Sequence, residues 1–307
     1  MKTVLIGGDW GTSNLRVFRY AEGGLVAATR SAPTGIMAVG EAGFEAALKA
    51  LVSDWVNDGP VPVLLCGMVG SRQGWIETPY VPCPAAMNQV AGQVERVNCD
   101  FGAVHILPGL SVEEFELDGR HDVLRGEETQ IFGAAHAEGD DAEAAEIIVT
   151  PGTHSKWAVV ERGRINDFTT YMTGELFAVL KSHSILGRLM EGDAHDADAF
   201  ALGVGRSMVD PVLTRLLFSV RAEGLFNAVA PSALSAYLSG LLIGAEVAAG
   251  LSSSGAEAVT LIGEPGLTSL YVDALAICGV DDVKQVSGET AVGAGLWRLG
   301  QAMALAA

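Results

Sequence analysis

Basic residues are scarce in this chain. Lys and Arg number 19 against 37 Asp and Glu, a formal net charge of -18 over 307 residues. Nucleic acids and anionic membranes are gripped by clustered cations, so this balance argues against both as partners. Cysteine is sparse as well. The four present, Cys66, Cys83, Cys99 and Cys278, show neither metal-like pair spacing nor a disulfide framework. Cys66 lies in an apolar strand and reads as a small buried hydrophobe. The longest apolar stretch, Ala233 to Gly250, is interrupted by Ser, Tyr and Glu246, which predicts a buried helix and not a membrane span. No leader-like segment precedes the first strand, and a reduced, cytoplasmic protein is the expectation. What the chain does have is 49% apolar residues and 38 glycines, the composition of a turn-rich globular protein of about two domains.

Two segments carry the chemistry. Residues 4–16 read Val-Leu-Ile-Gly-Gly-Asp-Trp-Gly-Thr-Ser-Asn-Leu-Arg: an apolar strand runs into Asp9, then a Gly11-Thr12-Ser13 turn, then a second strand. Glycine lets backbone N–H groups approach phosphate oxygens, and an acid at the strand end can orient Mg2+ or its waters. An ordinary hairpin would look similar. A second copy, about half the chain away, strengthens the phosphate reading: Ile147 to Thr150 leads into Pro151-Gly152-Thr153-His154-Ser155 and out through an apolar strand from Trp157.

Further strings narrow the choice. They are Gly67-Met68-Val69-Gly70-Ser71-Arg72-Gln73-Gly74-Trp75, Tyr80-Val81-Pro82-Cys83-Pro84, Asp122-Val123-Leu124-Arg125-Gly126-Glu127-Glu128-Thr129-Gln130 and Met172-Thr173-Gly174-Glu175-Leu176-Phe177. With the two hairpins they make a chain that resembles the 2-dehydro-3-deoxygalactonokinase family, within the superfamily of actin and the sugar kinases, over nearly its whole length. The hairpins are specific to the superfamily; the Gly-Ser-Arg-Gln-Gly-Trp and Arg-Gly-Glu-Glu-Thr-Gln strings point to the one family. The resemblance implies an α/β fold of two ribonuclease-H-like, actin-like ATPase domains around an interdomain cleft.

The pattern along the chain agrees with such a fold. A three-strand meander covers Val4 to Thr29, a helix Gly40 to Val56, and strands Val61 to Cys66 and Val104 to Leu107, followed by a helix from Glu127 to Ala137. The order then restarts: hairpin 146–160, a strand at Arg164 to Thr169, helices from Glu175, a strand at Val259 to Ile262 and a last helix at Thr290 to Met303. This predicts domains 1–144 and 145–307, the final helix packing back on the first. The acidic run from Glu138 to Glu146 reads as an exposed linker or helix start.

Phosphoryl transfer to a sugar hydroxyl needs a phosphate cradle, a magnesium site, a carboxylate that takes the hydroxyl proton, and exclusion of water. The resemblance implies ATP and Mg2+ as cofactors, with Asp9 organising the metal. Gly11, Thr12, Ser13, Gly152, Thr153, His154 and Ser155 would meet the phosphates. Gly263, Glu264 and Gly266, in a strand-to-helix turn, resemble the superfamily's adenosine motif. For the general base, Glu127 comes first, Glu128 second and Asp122 third; the first two share a helical first turn, and adjacent helical residues point about 100° apart, so one of them faces the cleft. Complementing the helix dipole is the bland alternative for both. The acceptor would meet Thr34, Gly35, Ser71, Arg72, Gln73, Arg125, Thr173 and Glu175, with an arginine fork suited to its carboxylate. Trp75 and Tyr80 are wall or plain core. The implied reaction is ATP-dependent phosphorylation of the 6-hydroxyl of 2-dehydro-3-deoxy-D-galactonate in galactonate catabolism, with domain closure expelling water. Partners are then the sugar acid and ATP, and a homodimer is left open. A kinase for the gluconate epimer is the enzymatic rival; a non-catalytic nucleotide-binding regulator is the rival from another class.

Overall fold

The computed structural model describes residues 1–41, 43–57, 59–113, 120–135, 145–192 and 194–306. The chain divides into two compact units. One takes Met1–Ala145, Ala158–Phe168 and Ser287–Ala307; the other takes Glu146–Trp157 and Thr169–Val286. A single cut near residue 144 therefore does not describe the packing, because the chain returns to the first unit within a strand and again for its last helix.

The first unit opens with β1 (Leu5–Trp10), β2 (Leu15–Tyr20) and β3 (Val26–Ala32), followed by α1 (Gly43–Val52) and β4 (Val63–Cys66). Short elements come next: β5 (Tyr80–Pro82), β6 (Ala85–Ala86), α2 (Met87–Ala91), β7 (Glu95–Cys99), β8 (Gly102–Ile106), β9 (Gly109–Glu113), β10 (His121–Leu124) and α3 (Glu127–Ala134). The main sheet has the order β3-β2-β1-β4-β8-β7. β1 and β2 form an antiparallel hairpin with Asp9 opposite Arg16, whereas β4 lies parallel to β1 and sets Cys66 beside Asp9. The apolar residues of β1 and β4 are almost wholly buried, as a central strand covered on both faces requires. Their polar ends at Asp9 and Gly67 thus emerge together at one edge, where ligands of open α/β sheets collect. The short strands β10-β9-β5 form a separate sheet. Residues 136 and 137 of the expected helix, and most of the acidic run from Glu138, lie outside the described residues.

In the second unit come β11 (Glu146–Thr150), the start of β12 (Ser155–Glu161), the end of β13 (Arg164–Tyr171), α4 (Thr173–His183), α5 (Ala197–Val209), α6 (Leu213–Leu225), α7 (Leu234–Ser254), β14 (Ala258–Gly263), α8 (Pro265–Ile277) and β15 (Asp282–Ser287). β11 pairs in parallel with β14, Ile148 opposite Thr260. α7 is long and apolar enough to cross a membrane by length and composition alone, but most of it is buried inside the structure. Its Glu246 is hydrogen-bonded there, which marks a core helix.

The last helix, α9 (Gly288–Ala302), belongs to the first unit and packs on α3. Glycines permit the close crossing: a Cβ on Gly133 would stand 1.8 Å from the Ala291 carbonyl, and one on Gly295 1.8 Å from that of Thr129. Arg298 then donates to the carbonyls of Phe132 and Ala135 and so closes the C-terminal end of α3. This packing fixes which face of α3 is buried, and that matters for the two glutamates at its start.

Candidate active site

The tip of the first hairpin is tied by the Gly11 N–H donating to Asn14 O at 2.9 Å, and it leaves Thr12 and Ser13 exposed. The loop after β3 lies against this tip. Gly35 N donates to Ser13 O, Ile36 N to Gly11 O, and Trp10 Nε1 to Thr34 O at 2.8 Å. Thr34 and Gly35, expected as acceptor contacts, thus support the hairpin through their backbones; Gly35 itself is buried.

Asp9 is the next-to-last residue of β1, partly exposed as a residue but with its carboxylate crowded by protein. Burial pushes its pKa up to about 6; Arg16 opposes that rise and the Glu127 carboxylate adds to it. The Cys66 Sγ lies 4.0 Å from Asp9 Oδ1. Burial, and then the acids Asp9 and Glu128, hold Cys66 as a thiol. Two glycines form the floor beside Asp9. Gly67 has φ 90° and Gly126 φ 108°, conformations that L side chains rarely adopt. A Cβ on Gly67 would come 3.2 Å from Asp9 Oδ1, and one on Gly126 would come 3.2 Å from Gly67 Cα. These contacts let the start of α3 reach the end of β1.

At that start the two glutamates part company. Glu128 is buried, accepting from Gly126 N at 2.5 Å and from Thr129 Oγ1 at 2.9 Å. Burial, with Glu127 adding, pushes its pKa up to about 7. Glu127 stays partly exposed, takes the Arg125 N–H at 3.1 Å and acts electrostatically on Asp9. Asp122 lies apart on β10, where its Oδ1 accepts from Val123 N. A raised carboxylate pKa means that the folded protein holds a proton which the unfolded chain has released. Stability contributed at Glu128 therefore falls as pH rises from about 4.5 to about 7. Glu128→Gln removes that dependence, so its stability relative to the parent should improve by up to about 3 kcal/mol between pH 5 and pH 8. Chemical denaturation at the two pH values measures this; an unchanged difference would show that Glu128 does not titrate there.

Arg125 and Arg72 also differ. The Arg125 guanidinium donates through Nη1 to Thr78 Oγ1 and through Nη2 to Thr78 O at 2.9 Å, and lies 4.3 Å above the Tyr80 ring. It clamps the segment before β5 to the entrance of α3. Arg72 and Gln73 are exposed, and among the described residues Arg72 pairs with no carboxylate. The neighbouring Ser71 Oγ is buried with no hydrogen-bond partner among them. Trp75 packs in an aromatic cluster with Trp10 and Phe44, its ring stacked 5.9 Å from Phe44, so it belongs mainly to the core.

The second hairpin is built differently. Ser155 is fully buried, with Oγ 3.3 Å from Gly152 N and 2.9 Å from the Tyr271 hydroxyl. His154 Nε2 is 2.5 Å from Glu175 Oε2, so two residues expected to meet different substrates meet each other. Lys156 is buried and donates to His154 O. The start of α4 presses on the hairpin: Glu175 N donates to Thr153 O, and a Cβ on Gly174 would stand 2.4 Å from Gly152 O. Thr173 is buried at that helix start. Beside them lies a mostly apolar pocket of about 430 Å3, lined by Gly152, Thr153, Thr173 and Gly174 together with Phe177, Ser239, Leu242, Ile243, Leu267, Leu270 and Tyr271. Of the expected adenosine turn, Glu264 precedes Pro265 at the start of α8. Gly266 has open space where a Cβ would be, and Gly263 lies 3.2 Å from Thr268 on the same measure. None of the three lines the pocket, although α8 just beyond them does. Its helical lining residues escaped sequence reading because apolar residues at helical spacing look like ordinary core.

A sheet of this order, with a glycine-tipped hairpin in each unit, is the fold of the actin-like ATPase and sugar-kinase class. The family model for 2-keto-3-deoxy-galactonokinase matches residues 9–299. The chain belongs to that family. It is 40% identical to a probable 2-dehydro-3-deoxygalactonokinase of Rhizobium meliloti (strain 1021), with 94% of each chain covered. Identity is 36% to the 2-dehydro-3-deoxygalactonokinase of Escherichia coli (strain K12), covering 96% of this chain and 97% of that one. The crystal structure of a putative 2-dehydro-3-deoxygalactonokinase from Sinorhizobium meliloti superposes with a TM-score of 0.89 at 38% identity, over 97% of this chain and 99% of the other.

Proposed function

We propose that this sugar-acid kinase transfers the γ-phosphoryl group of ATP to the 6-hydroxyl of 2-dehydro-3-deoxy-D-galactonate, with Glu127 as general base. The observation that carries the assignment is the group at the end of β1: Asp9 and Glu127 interact across a floor of two glycines, with Arg72, exposed and without a carboxylate partner among the described residues, on the loop after the neighbouring strand. Glu127 accepts the hydroxyl proton, since it is the glutamate of the pair that keeps exposure; Glu128 holds the Gly126 N–H and so fixes the first turn of α3. Arg72 takes the acceptor's carboxylate through its fork, because Arg125 is already committed to Thr78. The tips of the two hairpins take phosphate oxygens through the backbone N–H groups of Thr12 and Ser13 and of Thr153 and His154, since those of Gly11 and Gly152 are bonded within their turns, and the pocket beside α8 takes the adenosine.

Magnesium fits the residues present. The raised pKa of Asp9 and its interaction with Glu127 mark a place where two acids favour a cation. The described residues offer no cluster of three or more His, Cys, Asp or Glu, which suits an ion held by one or two carboxylates and the nucleotide phosphates. When bound, the ion would neutralise phosphate charge and orient the transferring group. Asp9 would hold it, directly or through water.

A coupled ADP-release assay with ATP and Mg2+ tests the reading, comparing 2-dehydro-3-deoxygalactonate, its gluconate epimer, galactonate and no acceptor. Turnover confined to the galactonate-derived acid supports it. Equal rates for both epimers would widen the substrate class, and ATP binding without any turnover would revive a regulatory role. In the same assay Arg72→Ala is expected to raise the acceptor KM by about 10- to 100-fold, the loss of one charge-assisted pair, with ATP KM unchanged. An unchanged acceptor KM would remove Arg72 from the site.

A further inference from the structure

Within the second unit, Glu246 is a carboxylate buried to 3% exposure in the middle of a long apolar helix. A buried carboxylate is costly unless several donors satisfy it. Here Trp157 Nε1 donates to Oε1 at 2.9 Å and the Tyr271 hydroxyl donates to Oε2 at 2.7 Å. Thr173 also bonds to it. These partners come from β12, α8 and the first residue of α4, three elements that meet at the second hairpin.

The direction of the hydrogen bonds follows from donor accounting. Tyr271 has one O–H, and with that proton given to Glu246 its oxygen can only accept from Ser155 Oγ, 2.9 Å away. Ser155 therefore donates inward, to Tyr271 or to Glu246 itself, while its lone pair receives the Gly152 N–H. The hydroxyl expected from the sequence to touch phosphate is instead committed to the protein, and the exposed part of the turn is Thr153 and His154. We propose that Glu246 is a positioning residue for the nucleotide: through Tyr271 and Ser155, and through Thr173, it holds the Gly152–Ser155 turn in the conformation that receives phosphate. This rests on the assignment of that turn as a phosphate site.

The test uses the full-length enzyme with ATP and acceptor KM measured separately. Glu246→Gln places an amide where an acceptor is needed, and Tyr271→Phe removes one oxygen, taking away the bond to Ser155 and one donor to the carboxylate while leaving the Glu246–Trp157 bond in place. Both are expected to raise ATP KM by 10-fold or more and to leave acceptor KM within twofold. Trp157, which loses its charged partner only in Glu246→Gln, should change its fluorescence in that variant alone. Gly152→Ala is the control for the phosphate assignment, since open space surrounds a Cβ there and the fold tolerates it; it should raise ATP KM by obstructing the ligand. If Gly152→Ala raises ATP KM while the other two only lower the melting temperature, Glu246 is structural and the proposal falls alone. If Gly152→Ala leaves ATP KM unchanged, the phosphate assignment fails and the proposal with it.

Discussion

Glu127→Gln is expected to reduce kcat by about 10²- to 10⁴-fold, the usual contribution of a positioned general base. The substitution keeps the size of the side chain and an oxygen for the Arg125 N–H, so the start of α3 retains its bond. ATP KM should change little, because proton removal from the acceptor belongs to the chemical step. Glu128→Gln provides the contrast: its carboxylate is enclosed by Gly126 and Thr129, and its loss should alter stability more than rate. Single-turnover measurements separate the two. A Glu127→Gln enzyme of near-parental rate, beside an inactive Glu128→Gln enzyme, would exchange the two roles.

The second large effect is expected at Gly35. Its φ is ordinary, so the requirement for glycine comes from contact: a Cβ would stand 2.2 Å from Thr12 O and 2.3 Å from Ser13 N, both backbone atoms of the first hairpin. Gly35→Ala must displace that tip or the loop. A displacement near 1 Å at a phosphate cradle costs about 10²-fold in rate, so kcat/KM for ATP should fall by about that factor. Gly40, a few residues on, has open space around its Cβ position, and Gly40→Ala should behave like the parent. Parental ATP kinetics in Gly35→Ala would mean that the hairpin tip does not carry the phosphates.

The hairpins were legible because both their strands and their turns are local: alternating apolar runs and a glycine-hydroxyl tip require no distant residue. Local pattern also located α3 and α7, though α3 ends at Ala134 and several short strands, such as β9 and β10, were not anticipated. Those strands gain their pairing from one another, and three- to five-residue runs carry too little periodicity to stand out.

By itself, then, the sequence determined the class of chemistry: an acid at the end of a central strand, two glycine turns, and a helix beginning with two glutamates. Which glutamate is enclosed was decided by tertiary structure, since neighbours on a helix point about 100° apart and α9, from the far end of the chain, covers one face of α3. The arginines were sorted the same way. Arg125 is occupied because Thr78, 47 residues away, is brought beneath it, while Arg72 meets no such partner among the described residues. Ser155 turned inward because Tyr271 and Glu246 arrive from two other helices. Residue type fixes which hydrogen bonds a side chain is able to make. The packing of distant segments decides which of them remain open to a ligand.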